Sequence, residues 1–412
     1  MAETVDPLNP LEEFETSDHS SDMVIDTSSS SADSSLSIVE NTVEEKNKVT
    51  GEPPVIIPGD QPLLQKAKGW LLALIMESSA LTGSFYILTP CLPLLFFAPG
   101  QFRRIIDRLV GFWIAMPGAL IEYMWGSQVS VVGHKIEHAD PGLIIMNHRT
   151  RLDWLFFWTA LYKMDPWLLI SEKISLKGIL RYVPGAGWAM QCQAFLFLDR
   201  TFNSDKTKLE RMIDYYSNSG FNYQGLTNYD YLLHTRTTGF VHIVQRMRKN
   251  GYIKWLYDVT VAYDDCIVQS EVSLITHGIA PKSIHYQVEK LPIESLPESD
   301  EELATWLTKR WEEKEEKLKR FYNREDRENT TFNIPEGGAN FEMTPLLSRA
   351  RIGVIATWVV VTFMWIYFMF AVKEVLVLGV CAVVFFVGCQ KVYGGVEWLA
   401  IERMEEMREK KE

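Results

Sequence analysis

Ile352 to Val372 is an unbroken run of 21 uncharged, mostly apolar residues, and after Lys373 and Glu374 a further 16 uncharged residues lead to Gln390. No other feature narrows the possible folds as much. As helices, at a rise of 1.5 Å per residue, the two runs measure about 31 Å and about 24 Å, the scale of a bilayer's hydrocarbon core. A helix satisfies its own backbone hydrogen bonds, so a helical hairpin over residues 351–392 suits both runs. A charged pair held mid-bilayer is costly, which places Lys373 and Glu374 at or near the turn. A closed hairpin returns the chain to its starting side. The charged tail 393–412 is then expected on the same side as the chain before residue 351.

A second apolar stretch, Gly69 to Gln101, carries Glu77 as its only charge and ends in Pro90, Pro93 and Pro99. It is long enough to span, but late prolines bend a helix and free backbone carbonyls, so a bent or re-entrant element fits as well. Lys66 and Lys68 precede it and Arg103, Arg104 and Arg108 follow, so charge does not orient it. Leu109 to Trp125 is a shorter apolar stretch, interrupted by Pro117 and Glu122, suited to the membrane surface or to packing on a domain. Residues 63–126 thus read as N-terminal membrane-associated helices.

Residues 1 to 60 hold 14 acidic residues against Lys46 and Lys48, while the rest of the chain carries 39 acidic and 39 basic groups. The overall acidity therefore belongs to the Ser-rich tail 1–62, which reads as disordered, and says nothing about a substrate. No Lys/Arg block marks a nucleic-acid face. Cys91, Cys192, Cys266, Cys381 and Cys389 form no Cys-x2-Cys pair, so neither a metal site nor a disulfide framework is expected.

Between the membrane regions, residues 127–326 alternate strand and helix patterns, the signature of an α/β domain, followed by a linker over 327–350. Gln128–Gly133, Leu143–Met146, Ala194–Leu198, Ile253–Tyr263 and Tyr286–Ile293 read as strands or contain one. Leu152–Tyr162, Lys206–Ser217, Thr238–Met247 and Ser299–Tyr322 read as helices.

The chemistry-bearing residues follow one of these strands. His148 stands where Gly142–Met146 ends, and Asp153 lies about one turn into the next helix. Side chains at strand ends line clefts in α/β domains. A carboxylate that fixes one ring nitrogen as donor leaves the other to accept a proton. No Gly-x-Ser-x-Gly elbow or activated cysteine accompanies the pair. The economical reading is that His148 acts as general base on a hydroxyl of the substrate itself, without an acyl-enzyme. Arg149 and Arg151 flank the pair and either meet phosphate or are simply exposed.

Asn147-His148-Arg149-Thr150-Arg151-Leu152-Asp153, followed by Trp154, resembles the first motif of the glycerophospholipid acyltransferases. Ile144 to Phe157 is similar to their lysocardiolipin and lysophosphatidylinositol branch. So are Lys177-Gly178, Pro184 to Trp188, His234 to Phe240, and Thr260 to Tyr263. Phe195 to Arg200 resembles the family's second motif, and the likeness extends over roughly residues 69 to 400.

The resemblance implies an α/β acyltransferase domain with N-terminal membrane-associated helices and a C-terminal transmembrane hairpin. It implies transfer from acyl-CoA, a donor substrate rather than a tightly bound cofactor, to a lysophospholipid at a membrane. His148 and Asp153 are the implied catalytic residues, with Asn147, Arg149, Arg151, Lys177 and Arg200 toward the substrate. A cytosol-facing domain in the endoplasmic reticulum membrane suits it, with the Asn329-Thr330-Thr331 sequon left unglycosylated.

One departure stands out. The family's third motif is an apolar strand ending Phe-Pro-Glu-Gly-Thr, and neither the strand nor the Glu-Gly-Thr follows Lys206–Ser217. The chain runs through Asn218 to Gly225 and Asn228 to Tyr231 straight into His234-Thr235-Arg236. A whole block is missing, as in an alternatively spliced form, and a sheet without its central strand would have unpaired backbone. Pro335-Glu336-Gly337 is the one later stretch that resembles the motif. The alternative to an active enzyme is a catalytically impaired form acting as a membrane scaffold or regulator.

Overall fold

A computed structural model describes residues 59, 61–199, 201–228, 237–324 and 331–410. The acidic tail, Arg200, the Asn329-Thr330 part of the sequon and the residues between Asn228 and Thr237 lie outside this set.

The described chain opens with α1 (Leu63–Gly83), which continues through a π turn (Ser84–Leu88) and a 3-10 turn (Thr89–Cys91) into α2 (Pro93–Phe97). Pro90 and Pro93 lack the donors a regular helix needs there, and the winding changes to a 3-10 turn and restarts as α-helix at these residues. Then follow α3 (Pro99–Trp125), β1 (Gln128–Gly133), β2 (Gly142–Met146), α4 (Asp153–Met164) and α5 (Leu168–Ser171). Next come β3 (Glu172–Lys177), α6 (Ala186–Cys192), β4 (Leu196–Leu198), α7 (Phe202–Asn218), β5 (Gln224–Asn228) and α8 (Thr237–Lys249). The remainder is β6 (Trp255–Tyr263), α9 (Glu271–Thr276), β7 (Ser283–Pro292), α10 (Asp300–Tyr322), β8 (Ala339–Asn340), α11 (Pro345–Ala371), α12 (Lys373–Val392) and α13 (Val396–Glu409).

The eight strands form one mixed sheet in the order β4-β3-β5-β2-β6-β7-β1-β8. β2 runs parallel to β5 and β6, and β3 runs parallel to β4 and β5. Five carboxyl ends, those of β4, β3, β5, β2 and β6, therefore point the same way. β7 is antiparallel to β6, and β8 is antiparallel to β1. Alternate residues of β2 face opposite cores. Ile144 and Met146 pack with α3 and α4, while Leu143 and Ile145 pack with α7, α8, α10 and α13.

α3 runs unbroken through Pro117 and buries fourteen residues against the domain, so the stretch that contains Pro117 is a packing helix rather than a surface-lying one. Residues 327–350 are also more than a linker, because they supply β8 to the sheet and begin α11. α13 packs into the domain core through Trp398 and Ile401, which sets the chain after the hairpin against the domain. α11 and α12 join through Val372, and Lys373 and Glu374 open α12. Leu63–Phe97, α11 and α12 are long and apolar enough to cross a membrane.

The sheet also has its central strand, contrary to the expectation from sequence. β5 pairs with both β2 and β3, Asn228 opposite Met146 and Gln224 opposite Glu172, so neither neighbour lacks a partner there. Gly225 and Asn228 are poor strand formers, and the segment is held by contacts at its start. The Gln224 amide donates to the carbonyls of Glu137 and Asp140 at 3.1 and 3.0 Å, and accepts from the Ser171 hydroxyl. Tyr223 donates to Asp107 at 3.1 Å.

Candidate active site

The turn after β2 folds back so that His148 Nδ1 lies 2.7 Å from Asp153 Oδ2. The carboxylate is fully buried, whereas the imidazole side chain is 14% exposed and so reaches the surface. Asp153 opens α4, where the positive end of the helix dipole favours its charge. Its Oδ2 also accepts the backbone N–H groups of Arg149 at 2.6 Å and Thr150 at 2.9 Å. Its Oδ1 accepts the Tyr263 hydroxyl at 2.5 Å. Burial, and the carboxylate alongside, push that hydroxyl well above its ordinary pKa, so Tyr263 stays protonated and donates. Tyr286 donates to the Asp153 carbonyl at 3.1 Å. A carboxylate held this way has no freedom to turn from the ring. The i to i+5 spacing, wrong for one helix face, works because the turn reverses between the two residues.

Asn147 has a different place from the one its motif position suggests. Its side-chain nitrogen donates to the Val261 carbonyl at 2.9 Å and its oxygen accepts the Val261 N–H at 2.8 Å. Both ends of the amide are occupied by β6 backbone, so Asn147 clamps the site turn to the sheet rather than facing a substrate. Thr150 adds a further tie, its hydroxyl accepting from Leu152 N at 3.0 Å.

Arg151 is exposed, and its backbone N–H donates to Gln269 at 3.1 Å, while Arg149 is half-buried. Lys177 ends β3 and is exposed. β3 pairs with β5 over Glu172–Ile174 and with β4 over Ser175–Lys177, which carries Lys177 to the carboxyl edge of the sheet. β4 ends beside it, with Leu198 opposite Lys177, so Asp199 also emerges at this edge. Arg200, next in the chain, is outside the described residues. Tyr263 and Tyr286 are the site residues that the sequence did not single out for a role. Their signal was available in part, since Tyr263 closes the Thr260 to Tyr263 segment.

The family model described as Acyltransferase matches residues 128–264, and that described as Acyltransferase C-terminus matches residues 275–348. Lysophosphatidylinositol acyltransferase 10 of Caenorhabditis elegans is 38% identical over 301 residues, which cover 67% of this chain and 77% of that protein. Lysocardiolipin acyltransferase 1 of Gallus gallus is 36% identical over 372 residues, covering 81% of this chain and 94% of that protein. The chain belongs to the acyltransferase family. Among solved structures, the LPA acyltransferase PlsC of Thermotoga maritima is 17% identical, with a TM-score of 0.35 over 60% of this chain.

The acyltransferase match starts at β1 and closes just past β6, so it contains the whole His148–Asp153–Tyr263 unit. The C-terminal match takes in β7, α10 and β8. Within this acyltransferase, Pro335 to Gly338 lies at the outer sheet edge, where His134 contacts the Glu336 carbonyl at 3.0 Å. β8 stands four strand spacings, about 19 Å, from β2. That stretch does not replace the third motif beside His148. The element next to β2 is β5.

Proposed function

We propose that this acyltransferase moves the acyl group of acyl-CoA to the free hydroxyl of a lysophospholipid, with His148 as general base and Asp153 as its orienting carboxylate. The observation that carries the reading is the 2.7 Å approach of His148 Nδ1 to a buried Asp153 at the carboxyl edge of the sheet. With Nδ1 holding its proton toward Asp153, Nε2 takes the proton of the acceptor hydroxyl. The acceptor oxygen then bonds to the thioester carbonyl carbon, the carbon–sulfur bond breaks, and the imidazolium returns its proton to the thiolate. Asp153 stabilises the imidazolium formed between the two transfers.

The acceptor class follows the relatives, whose names give lysophosphatidylinositol and lysocardiolipin as what they acylate. Both carry phosphate. Arg149, Arg151 and Lys177 at this edge, with Arg200, are the cations proposed to hold it. The membrane proposed for the enzyme is that of the endoplasmic reticulum, with the domain facing the cytosol, where acyl-CoA is supplied.

A second reading, a catalytically impaired membrane scaffold or regulator, draws on the missing Phe-Pro-Glu-Gly-Thr after β5, since a poorly held acceptor costs orders of magnitude in rate. Formation of labelled phospholipid from labelled acyl-CoA by membranes holding the full chain separates the two. Product that disappears with His148→Ala supports the enzyme. Equal product from both chains removes His148 from the mechanism, and no product from either favours the scaffold.

A further inference from the structure

We propose that the loop Ile179–Val183 is seated in the interfacial zone of the phospholipid bilayer and holds the carboxyl edge of the sheet against the lipid. Its position does not depend on turnover, whereas its use as the route for a lipid acceptor rests on the function proposed above.

The segment leaves β3 directly after Lys177 and winds through a 3-10 turn over Gly178–Tyr182 to Val183. Ile179 is 61% exposed and Tyr182 58% exposed, and Leu180 and Val183 are each 37% exposed. Four large apolar side chains within five residues form an apolar patch, not the scattered single exposure that is ordinary on a protein surface. The loop's one charge faces inward. The Arg181 guanidinium donates to the Gly394 carbonyl at 2.9 Å, lies 3.4 Å from Glu397, and sits over the Phe197 ring.

These inward contacts also fix the loop's depth. Gln390, near the end of α12, donates its amide to the Arg181 carbonyl at 2.8 Å. Gly394 follows α12, so the loop lies where the second helix of the hairpin leaves the hydrocarbon on the domain side. Two residues past the loop the chain meets α1 and the π turn that continues it. Gly185 is so close to Ala80 and Leu81 that a Cβ there would lie 2.7 Å from the Leu81 nitrogen, and Ser84 donates to the Gly185 carbonyl at 2.8 Å. α1 itself exposes Trp70, Leu71 and Leu74.

The patch therefore lies at the domain end of α12, at the depth of a bilayer surface, where tyrosine favours the boundary between chains and headgroups. Lys177, exposed at the start of the loop, is placed for its stem to lie along lipid and its ammonium to reach a headgroup phosphate. A lipid bilayer is the occupant that accounts for apolar exposure, depth and inward charge together.

The test is collision accessibility by spin-label EPR. The full chain carries Cys91→Ser and Cys381→Ser, which leaves the buried Cys192, Cys266 and Cys389, and is labelled at Ile179→Cys or Tyr182→Cys. It is reconstituted in phosphatidylcholine vesicles with no substrate present. Glu312→Cys on the exposed face of α10 serves as the aqueous control. Both loop sites are expected to show an oxygen-to-nickel-chelate accessibility ratio at least about fivefold above the control, because oxygen partitions into the apolar phase. A smaller difference at both sites overturns the proposal even if the chain is fully active. A larger one sustains it even if the chain turns over no substrate.

Discussion

Replacing Asp153 by Asn isolates the charge of the orienting group from its shape. In the protein, Asp153 Oδ2 serves the Arg149 and Thr150 N–H groups and His148, and Oδ1 serves Tyr263. An asparagine can put its carbonyl oxygen where Oδ2 stands and turn its amide nitrogen to the Tyr263 oxygen, which accepts once its own proton rotates away. The fold and the Nδ1 hydrogen bond then survive, and what disappears is the negative charge facing the imidazolium. Charge centres about 4 Å apart at an effective dielectric of about 20 attract by about 4 kcal/mol, which is about a thousandfold in rate. The ring is partly open to solvent, which screens the attraction, so the expected fall in kcat is about 100- to 1,000-fold. KM for both substrates should stay near wild type, because neither binds to Asp153. Initial rates with labelled acyl-CoA and saturating lysophospholipid in vesicles measure this, with a thermal melt of the same sample to confirm the fold. A kcat within about tenfold of wild type in a folded Asp153→Asn protein would refute the pairing of base and carboxylate.

Tyr263→Phe removes one donor to a buried carboxylate, worth about 1.5–3 kcal/mol, and should lower kcat roughly 10- to 100-fold with KM unchanged. A rise in KM with kcat intact would instead place Tyr263 against a substrate. Asn147→Ala strands both backbone groups of Val261, an expected loss of about 2–4 kcal/mol of stability, read as a lower denaturant midpoint in detergent. Glu122→Ala leaves the Arg351 guanidinium, 1% exposed and stacked on Tyr162, without its carboxylate, and should cost about 3–5 kcal/mol; a variant as stable as wild type would show that pair to be idle. Burial opposes the charge of Glu289, but hydrogen bonds from Lys317 and Arg310 outweigh it and hold the carboxyl at about 2. Because this lies below the ordinary carboxylate value, the stabilisation is complete above about pH 4.5 and is lost as pH falls through 2. Glu289→Gln should therefore lower the melting temperature at neutral pH and flatten its decline on acidification.

What was legible in the sequence was what short-range patterning decides. β2 is apolar throughout, α4 and α7 keep helical spacing, and the two runs after Ile352 are too long and apolar for a domain core. The elements that escaped are those whose partners are far away in the chain. β3 begins with Glu172 and Lys173, charges that suggest a surface, yet both are buried, and Lys173 reaches Asp107 of α3 at 2.9 Å and covers the Tyr223 ring. β5 contains Gly225 and ends in Asn228, and is a strand because β2 and β3 both need a partner between them. α13 looks like a charged tail, but its Trp398 and Ile401 complete the core beneath α7 and α8. At the site, His148 and Asp153 were visible as a pair. The task of Asn147 was not, because Val261 is 114 residues away.

The site divides between two sides of β2, and that division bears on how a changed third motif acts. The base unit comes from β2, α4, β6 and β7: Asn147 is clamped to Val261, and Asp153 is held by Tyr263 and Tyr286. None of these ties reaches β5. The other side, β5, β3 and β4, ends in Lys177 and Asp199 at the edge proposed for the acceptor phosphate. The backbone pairing of β5 with β2 is the same for any sequence that can adopt a strand, so an altered β5 keeps the sheet whole and leaves the base oriented. Changes in β5 should therefore appear first in acceptor KM and headgroup preference. Changes at Asp153 or Tyr263 should appear in kcat. A β5 variant that lowered kcat while sparing acceptor KM would show that the two sides are coupled through the sheet.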